Sequence, residues 1–193
     1  LGPGAAEVKT ELDLIDNQVM RIGAIVSKLL QFARPSEFGT FKESVDIANV
    51  VTDCLVLVDD VLSKHNIVVD GHCDVAPAVR IDPGELQQVI INLVINAAQA
   101  MKETGTLTLT LKAEERDGTP GACLTVADSG PGISEDHISE VFNPFYTTKP
   151  GEGTGLGLSI SQTLIQHAGG IITVRNREEG GAAFAIWLPE RRD

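Results

Sequence analysis

Two asparagines, Asn92 and Asn96, stand four residues apart in an otherwise apolar run. On a helix that spacing puts both carboxamides on one face, one turn apart. Asparagine is a mediocre helix former, so two of them inside an apolar helix need a reason. A carboxamide oxygen is a hard, neutral ligand suited to Mg2+, which takes few protein ligands and keeps phosphates and waters. The plain alternative is a pair of polar residues on a solvated face. Further along stands Asp128-Ser129-Gly130-Pro131-Gly132. An Asp at a strand end before a glycine turn is most often a turn signal. Its chemical reading is a carboxylate that accepts a hydrogen bond from an exocyclic amine such as N6 of adenine. Guanine presents a carbonyl there, so acceptor would face acceptor.

Two more features follow in order. Val141 to Lys149 reads Val-Phe-Asn-Pro-Phe-Tyr-Thr-Thr-Lys, and holds three of the chain's eight aromatics. Those rings could anchor a segment, and Lys149 could neutralise phosphate charge; the alternative is a small surface apolar cluster. Gly151 to Leu158 then places glycine at every second position. Backbone N–H groups can approach an anion there, and the next helix points its positive end at it. The P-loop and Rossmann glycine patterns are absent, as are the protein-kinase signatures.

These residues need elements to position them. Asp46 to Lys64 carries an apolar helical stripe, and Ile67–Val69 and Val79–Ile81 read as short strands. Asp82-Pro83, with Glu85 three residues after the cap, starts the helix that bears both asparagines. Thr106–Leu111 and Ala122–Ala127 read as a hairpin around Asp117–Gly121, and Gly157–His167 as a helix. A short helix is expected near Glu135–Val141, and a closing hairpin from Ile171–Arg175 and Ala182–Leu188. Upstream, Leu12, Ile15, Val19, Ile22, Val26, Leu29 and Ala33 recur in alternating steps of three and four. That is a heptad seam, which asks for a helical partner; Pro35 ends it. The expected division is a bundle helix over 1–35, a linker over 36–44 and an α+β domain over 45–193.

Composition fits that plan. The chain has 193 residues, 42% hydrophobic, with 19 glycines, enough for a real core. Its net charge of −12 repels phosphate backbones and anionic headgroups, so nucleic acid and membrane surfaces are poor partners. A small anionic ligand needs only a local pocket. Cys54, Cys73 and Cys123 form no C-x-x-C pair and read as small buried hydrophobes. No apolar run approaches a membrane span, and a reducing cytoplasm fits.

Taken together and in order, the four features resemble the N, G1, F and G2 boxes of the ATP-binding domain of sensor histidine kinases, in the GHKL superfamily. The resemblance covers about Ser44 to Pro189. Leu12–Pro35 resembles the second helix of the dimerisation and phosphotransfer hairpin. The wording Asn143 to Pro150 is most similar to the nitrogen-regulation subgroup. The resemblance implies a two-layer α/β sandwich, the Bergerat fold, with ATP and Mg2+ under a flexible lid. It implies Asn96 as the Mg2+ ligand, Asn92 near the phosphates, and Lys149 acting beside them in catalysis. It implies Asp128 as the adenine-reading carboxylate, with Gly130 and Gly132 letting the chain approach the base. Thr148, Gly153, Thr154, Gly155, Leu156 and Gly157 complete the implied nucleotide contacts, and Phe142 and Phe145 fasten the lid or a domain contact.

Relatives that hydrolyse ATP carry a glutamate general base where Asn92 stands, and an amide cannot remove a proton. The implied activity is therefore transfer of the ATP γ-phosphoryl group to a histidine, then to a response-regulator aspartate, in a homodimeric parent. None of His65, His72, His137 and His167 has the His-Glu-x-x-Asn-Pro context of a phosphoacceptor. The chain is accordingly expected to be a fragment of a longer, cytoplasmic or membrane-anchored kinase, with Leu1–Gly4 partly a remnant of expression. Where many relatives have a hydroxyl residue before Phe184, alanine stands, a departure that bears on one direct or water-mediated contact to the base but not on the fold. Two rival readings remain: a GHKL ATPase or anti-sigma-type serine kinase, and a non-catalytic ATP-binding or dimerisation module.

Overall fold

The computed structural model describes residues 44–148 and 154–191. The expected bundle helix, most of the linker, Lys149 and Gly153 lie outside the described residues. The elements are α1 (Ile47–Lys64), β1 (Ile67–Cys73), α2 (Pro83–Met101), β2 (Gly105–Ala113), β3 (Gly121–Asp128), α3 (Glu135–Ile138), α4 (Gly157–His167), β4 (Ile171–Asn176) and β5 (Ala182–Pro189). The strands form one sheet in the order β1-β2-β3-β5-β4. β1 runs parallel to β2, from Ile67 opposite Gly105, and all other pairings are antiparallel.

Each helix starts where its sequence predicts. Asp46 caps α1 by accepting from Ala48 N at 2.9 Å. Asp82 Oδ1 accepts from Gly84 N at 2.8 Å and Glu85 N at 3.0 Å, with Pro83 preset for the first turn. At the end of α1, His65 Nδ1 pairs with the Lys102 carbonyl, a structural role at the helix terminus.

Strand β2 alternates, and β5 is buried along most of its length. Leu107, Leu109 and Leu111 of β2, and Phe184, Ile186 and Leu188 of β5, are buried in the same core as the apolar stripes of the helices. Val51, Cys54, Val58 and Leu62 of α1 join it, as do Leu86, Val89, Ile90, Leu93, Val94 and Ala97 of α2. The result is a helical layer on one sheet face, the expected two-layer α/β sandwich.

Four expectations are corrected. Val79–Ile81 is not a strand. Val79 makes only isolated bridges to Val45 and Glu190, because Pro77 lacks a donor and Asp82 already caps α2. β1 extends to Cys73, beyond Val69, and every residue after Ile67 is exposed, so alternation could not announce it. Cys73 therefore lies exposed on an edge strand rather than in the core. The helix expected at Glu135–Val141 closes after one turn, at Ile138.

Candidate functional site

Asn92, Asn96 and Ala100 lie at successive steps of four along α2, on one face. The face has a different neighbour at each end. At Asn92 the neighbour is the start of α4: a Cβ on Gly157 would stand 2.3 Å from Asn92 Oδ1. Asn92 Nδ2 donates to Ser161 Oγ at 3.0 Å, and Ser161 Oγ donates to the Gly157 carbonyl at 3.0 Å. At Ala100 the neighbour is the turn after β3, where a Cβ on Gly130 would stand 3.3 Å from the Ala100 carbonyl. Eight residues of helix separate the two ends, about 12 Å. Between them sits half-buried Asn96, whose side chain makes no hydrogen bond among the described residues.

At the far end of the stripe, Asp128 closes β3 and is only 3% exposed. Its Oδ1 accepts from Gly130 N at 2.8 Å and Ala182 N at 3.3 Å. Its Oδ2 has no protein partner among the described residues. A buried carboxylate with one oxygen held by amides and the other open is a directed acceptor. Ser129 Oγ fixes the same turn from the other side by accepting from Thr106 N at 2.9 Å.

At the Asn92 end, α4 opens with no side chain capping its first turn. Helix-start N–H groups without intrahelical partners, with the positive end of the helix dipole, suit a phosphate. Thr154 Oγ1 accepts from Leu156 N at 3.4 Å, and Leu156 is buried. Gly155 lies against the Phe145 and Tyr146 backbone, where its Cβ would stand 2.4 Å from the Phe145 carbonyl carbon. The two limbs that carry Thr148 and Thr154 are thus joined at their base. Thr148 itself is exposed.

The two phenylalanines of this segment part ways. Phe142 packs edge-on against Phe184, with ring centroids 6.3 Å apart, and fastens its limb to β5. Phe145 is 64% exposed at φ +67°, and its ring is not packed into the core formed by the described residues. Tyr146 stacks at a tilt on His137, with centroids 5.8 Å apart. Partial desolvation, then Glu140, holds its hydroxyl above the ordinary phenol value.

Sequence reasoning missed Ser161, Asn176 and Arg177. Asn176 Oδ1 accepts from Ile133 N at 2.8 Å, and Asn176 Nδ2 donates to the Ile133 carbonyl at 2.6 Å. Arg177 Nη1 donates to the Asp128 carbonyl at 2.9 Å. All three act through other residues, and nothing in their local sequence marks them.

Among the described residues no three His, Cys, Asp or Glu side chains come together as a metal site. The donor set is instead one free carboxamide oxygen, Asn96, between a buried carboxylate and an uncapped helix start, an arrangement whose chemistry suits a base, a phosphate chain and the cation that it carries. Fold and donor set together define the class as a nucleotide-binding domain.

The comparisons agree. Residues 81–192, more than half of the chain, match the family model described as histidine kinase-, DNA gyrase B-, and HSP90-like ATPase, and the chain belongs to that family. It is 34% identical over 188 residues to the sensor histidine kinase ZraS of Salmonella typhi, covering 97% of this chain and 39% of that protein. It is 34% identical to the nucleotide-free catalytic domain of histidine kinase ThkA, with a TM-score of 0.66, over 77% of this chain and 97% of that one. Against ThkA in complex with the response regulator protein TrrA, identity is 30% and the TM-score 0.71, over 95% of this chain and 52% of that one. Within the family, the chain carries the ATP-binding catalytic core of a sensor histidine kinase. It spans about two fifths of the length of its ZraS relative.

Proposed function

We propose that this core transfers the γ-phosphoryl group of ATP to a histidine outside residues 1–193, for relay to an aspartate on a response regulator. The observation that carries the reading is the stripe of Asn92, Asn96 and Ala100, with Asp128 at one end and the uncapped start of α4 at the other. The base would lie against Gly130 and Gly132, with its exocyclic amine donating to Asp128 Oδ2. The phosphates would lie at Thr154, Gly155, Leu156 and Gly157, with Thr148, Lys149 and Gly153 alongside. Asn96 would hold Mg2+, which supplies charge neutralisation to the phosphate chain.

The chain's own residues favour transfer over hydrolysis. Asn92 has no basic lone pair with which to take a proton from water, and its amide is tied to Ser161. A neutral imidazole needs no such base, so orientation and charge compensation can carry most of the barrier reduction. The complex of ThkA with a response regulator supports the partner class, in a homodimeric parent. The division at residues 35 and 44 and the nitrogen-regulation placement rest on the sequence pattern. Among the described residues no helix is long and apolar enough to cross a membrane. A cytoplasmic location for the fragment remains part of the proposal.

The test is calorimetry with ATP and GTP in the presence of Mg2+, on the wild type and Asp128→Asn. ATP should bind the wild type. The variant should lose at least about tenfold in ATP affinity, since its new Nδ2 can face an amine with donor against donor. GTP should lose less or gain. Mixing the chain with a separate hairpin that contains the acceptor histidine should then yield acid-labile phosphohistidine. An absence of ATP binding by the wild type overturns the reading.

A further inference from the structure

We infer that the turn between β4 and β5 is the device that sets base selection, with Asn176 as its positioning residue. The inference rests on the ATP site proposed above. In the sheet, Asp128 is paired on the β2 side, with Leu107, but the β3–β5 ladder stops one residue earlier, at Ala127 opposite Ala183. On that open side the ladder's place is taken by the turn 177–181.

Four contacts fasten the turn and its two flanking residues to the loop 128–133. Arg177 Nη1 donates to the Asp128 carbonyl at 2.9 Å, and Ala182 N donates to Asp128 Oδ1 at 3.3 Å. Asn176 takes both backbone groups of Ile133, accepting its N–H at 2.8 Å and donating to its carbonyl at 2.6 Å. One carboxamide thus does the work of a β-ladder pair for a segment that has no strand beside it. The turn holds its own shape through Arg177 N to the Gly181 carbonyl at 2.9 Å, and Arg177 Nη2 to Glu179 Oε2 at 3.0 Å.

The fit leaves no slack. Gly181 has φ +88°, and a Cβ there would stand 1.9 Å from the Asp128 carbonyl oxygen. A Cβ on Gly132, at φ +77°, would stand 2.9 Å from Asn176 Oδ1 and 3.3 Å from the Gly181 carbonyl. The direction of Asp128 Oδ2 and the path of Gly130–Gly132 are therefore set jointly by the turn. Asn176 is exposed, so its role is not core packing. Discrimination of amine from carbonyl on a base depends on where the acceptor points. Loosening Ile133 should cost the base that donates to Asp128 more than the base that does not.

The experiment compares wild type, Asn176→Ala and Asn176→Asp for ATP and GTP affinity by calorimetry, with amide hydrogen exchange over 130–133 in the nucleotide-free chain. Asn176→Ala should lower ATP affinity about tenfold and GTP affinity by less than about threefold, so the preference narrows. Exchange over 130–133 should rise, while the melting temperature stays close to wild type. Asn176→Asp keeps an acceptor for Ile133 N but sets an anion against the Ile133 carbonyl, so it should not restore the preference. If Asn176→Ala lowers both affinities equally, or neither, the inference is wrong while the ATP site stands. If the wild type binds no ATP, the site reading itself has failed.

Discussion

Asn92 and Ser161 meet across the seam between α2 and α4, with Asn92 Nδ2 donating to Ser161 Oγ at 3.0 Å. The Ser161 proton is already used on the Gly157 carbonyl, also at 3.0 Å. The hydroxyl oxygen can therefore only accept, which fixes which end of the amide faces it. Asn92 Oδ1 is turned the other way, toward Gly157 and the start of α4. One serine thus orients the first asparagine of the α2 stripe.

The first prediction concerns Gly157→Ala. The new methyl would stand 2.3 Å from Asn92 Oδ1, so the Asn92 side chain must swing and release Ser161. A flexible side chain yields cheaply, and alanine favours the helix by up to about 1 kcal/mol. The melting temperature should move by no more than about 4 °C. Phosphotransfer to an added histidine hairpin should fall at least about tenfold, because the displaced amide faces the start of α4, where the proposed site would hold the phosphates. Unchanged transfer would mean that Asn92 placement is immaterial.

Legibility in the sequence followed the range of the interactions. The Asp82-Pro83 start, the shared face of Asn92 and Asn96 and the span Gly157–His167 are local patterns, and each is found as read. Edge strand β1 carries no alternation after Ile67, so its length was invisible. Ser161 meets Asn92 across 69 positions, and Asn176 meets Ile133 across 43. A serine in a helix and an asparagine at a strand end are ordinary residues until the fold brings their partners. Phe145 shows another limit: its motif was legible, but the contact implied for it is not among the described residues, where it stays 64% exposed.

A second prediction concerns acid. Arg116 Nε lies 2.7 Å from Glu114 Oε1, and Lys112 Nζ lies 3.0 Å from Oε2. Hydrogen bonds from Arg116, then Lys112, hold the Glu114 carboxyl below its ordinary value. A depressed folded value means that the contribution is present above the unfolded value and lost as pH falls through the folded one. These are surface pairs, so Glu114→Gln should cost only about 0.2–1 kcal/mol at pH 7. Urea melts of both proteins should converge as pH drops below the carboxylate range. A gap that persists or widens in acid would contradict the ion-pair account.

The last prediction separates three cysteines that look alike in sequence. Cys54 is 0% exposed and Cys123 2%, whereas Cys73 sits on the exposed edge strand. Burial, then the Asp53 charge, pushes the Cys54 thiol up to about 11. Burial, then Glu114, also raises Cys123. The thiolate is the nucleophile, and at pH 8 a thiol at about 11 is ionised only about one part in a thousand. Native protein treated with iodoacetamide at pH 8 should therefore gain one label by mass spectrometry, mapped to Cys73, and three labels in concentrated urea. Cys73→Ser should remove the native label altogether. The raised Cys54 value has a stability consequence of fixed sign: its contribution is intact below the unfolded thiol value and lost as pH rises toward about 11. Cys54→Ala should flatten that alkaline slope while costing stability at neutral pH, because it trims a fully buried side chain between α1 and α2. Rapid labelling of Cys54 in the native chain would show that α1 opens locally from the core.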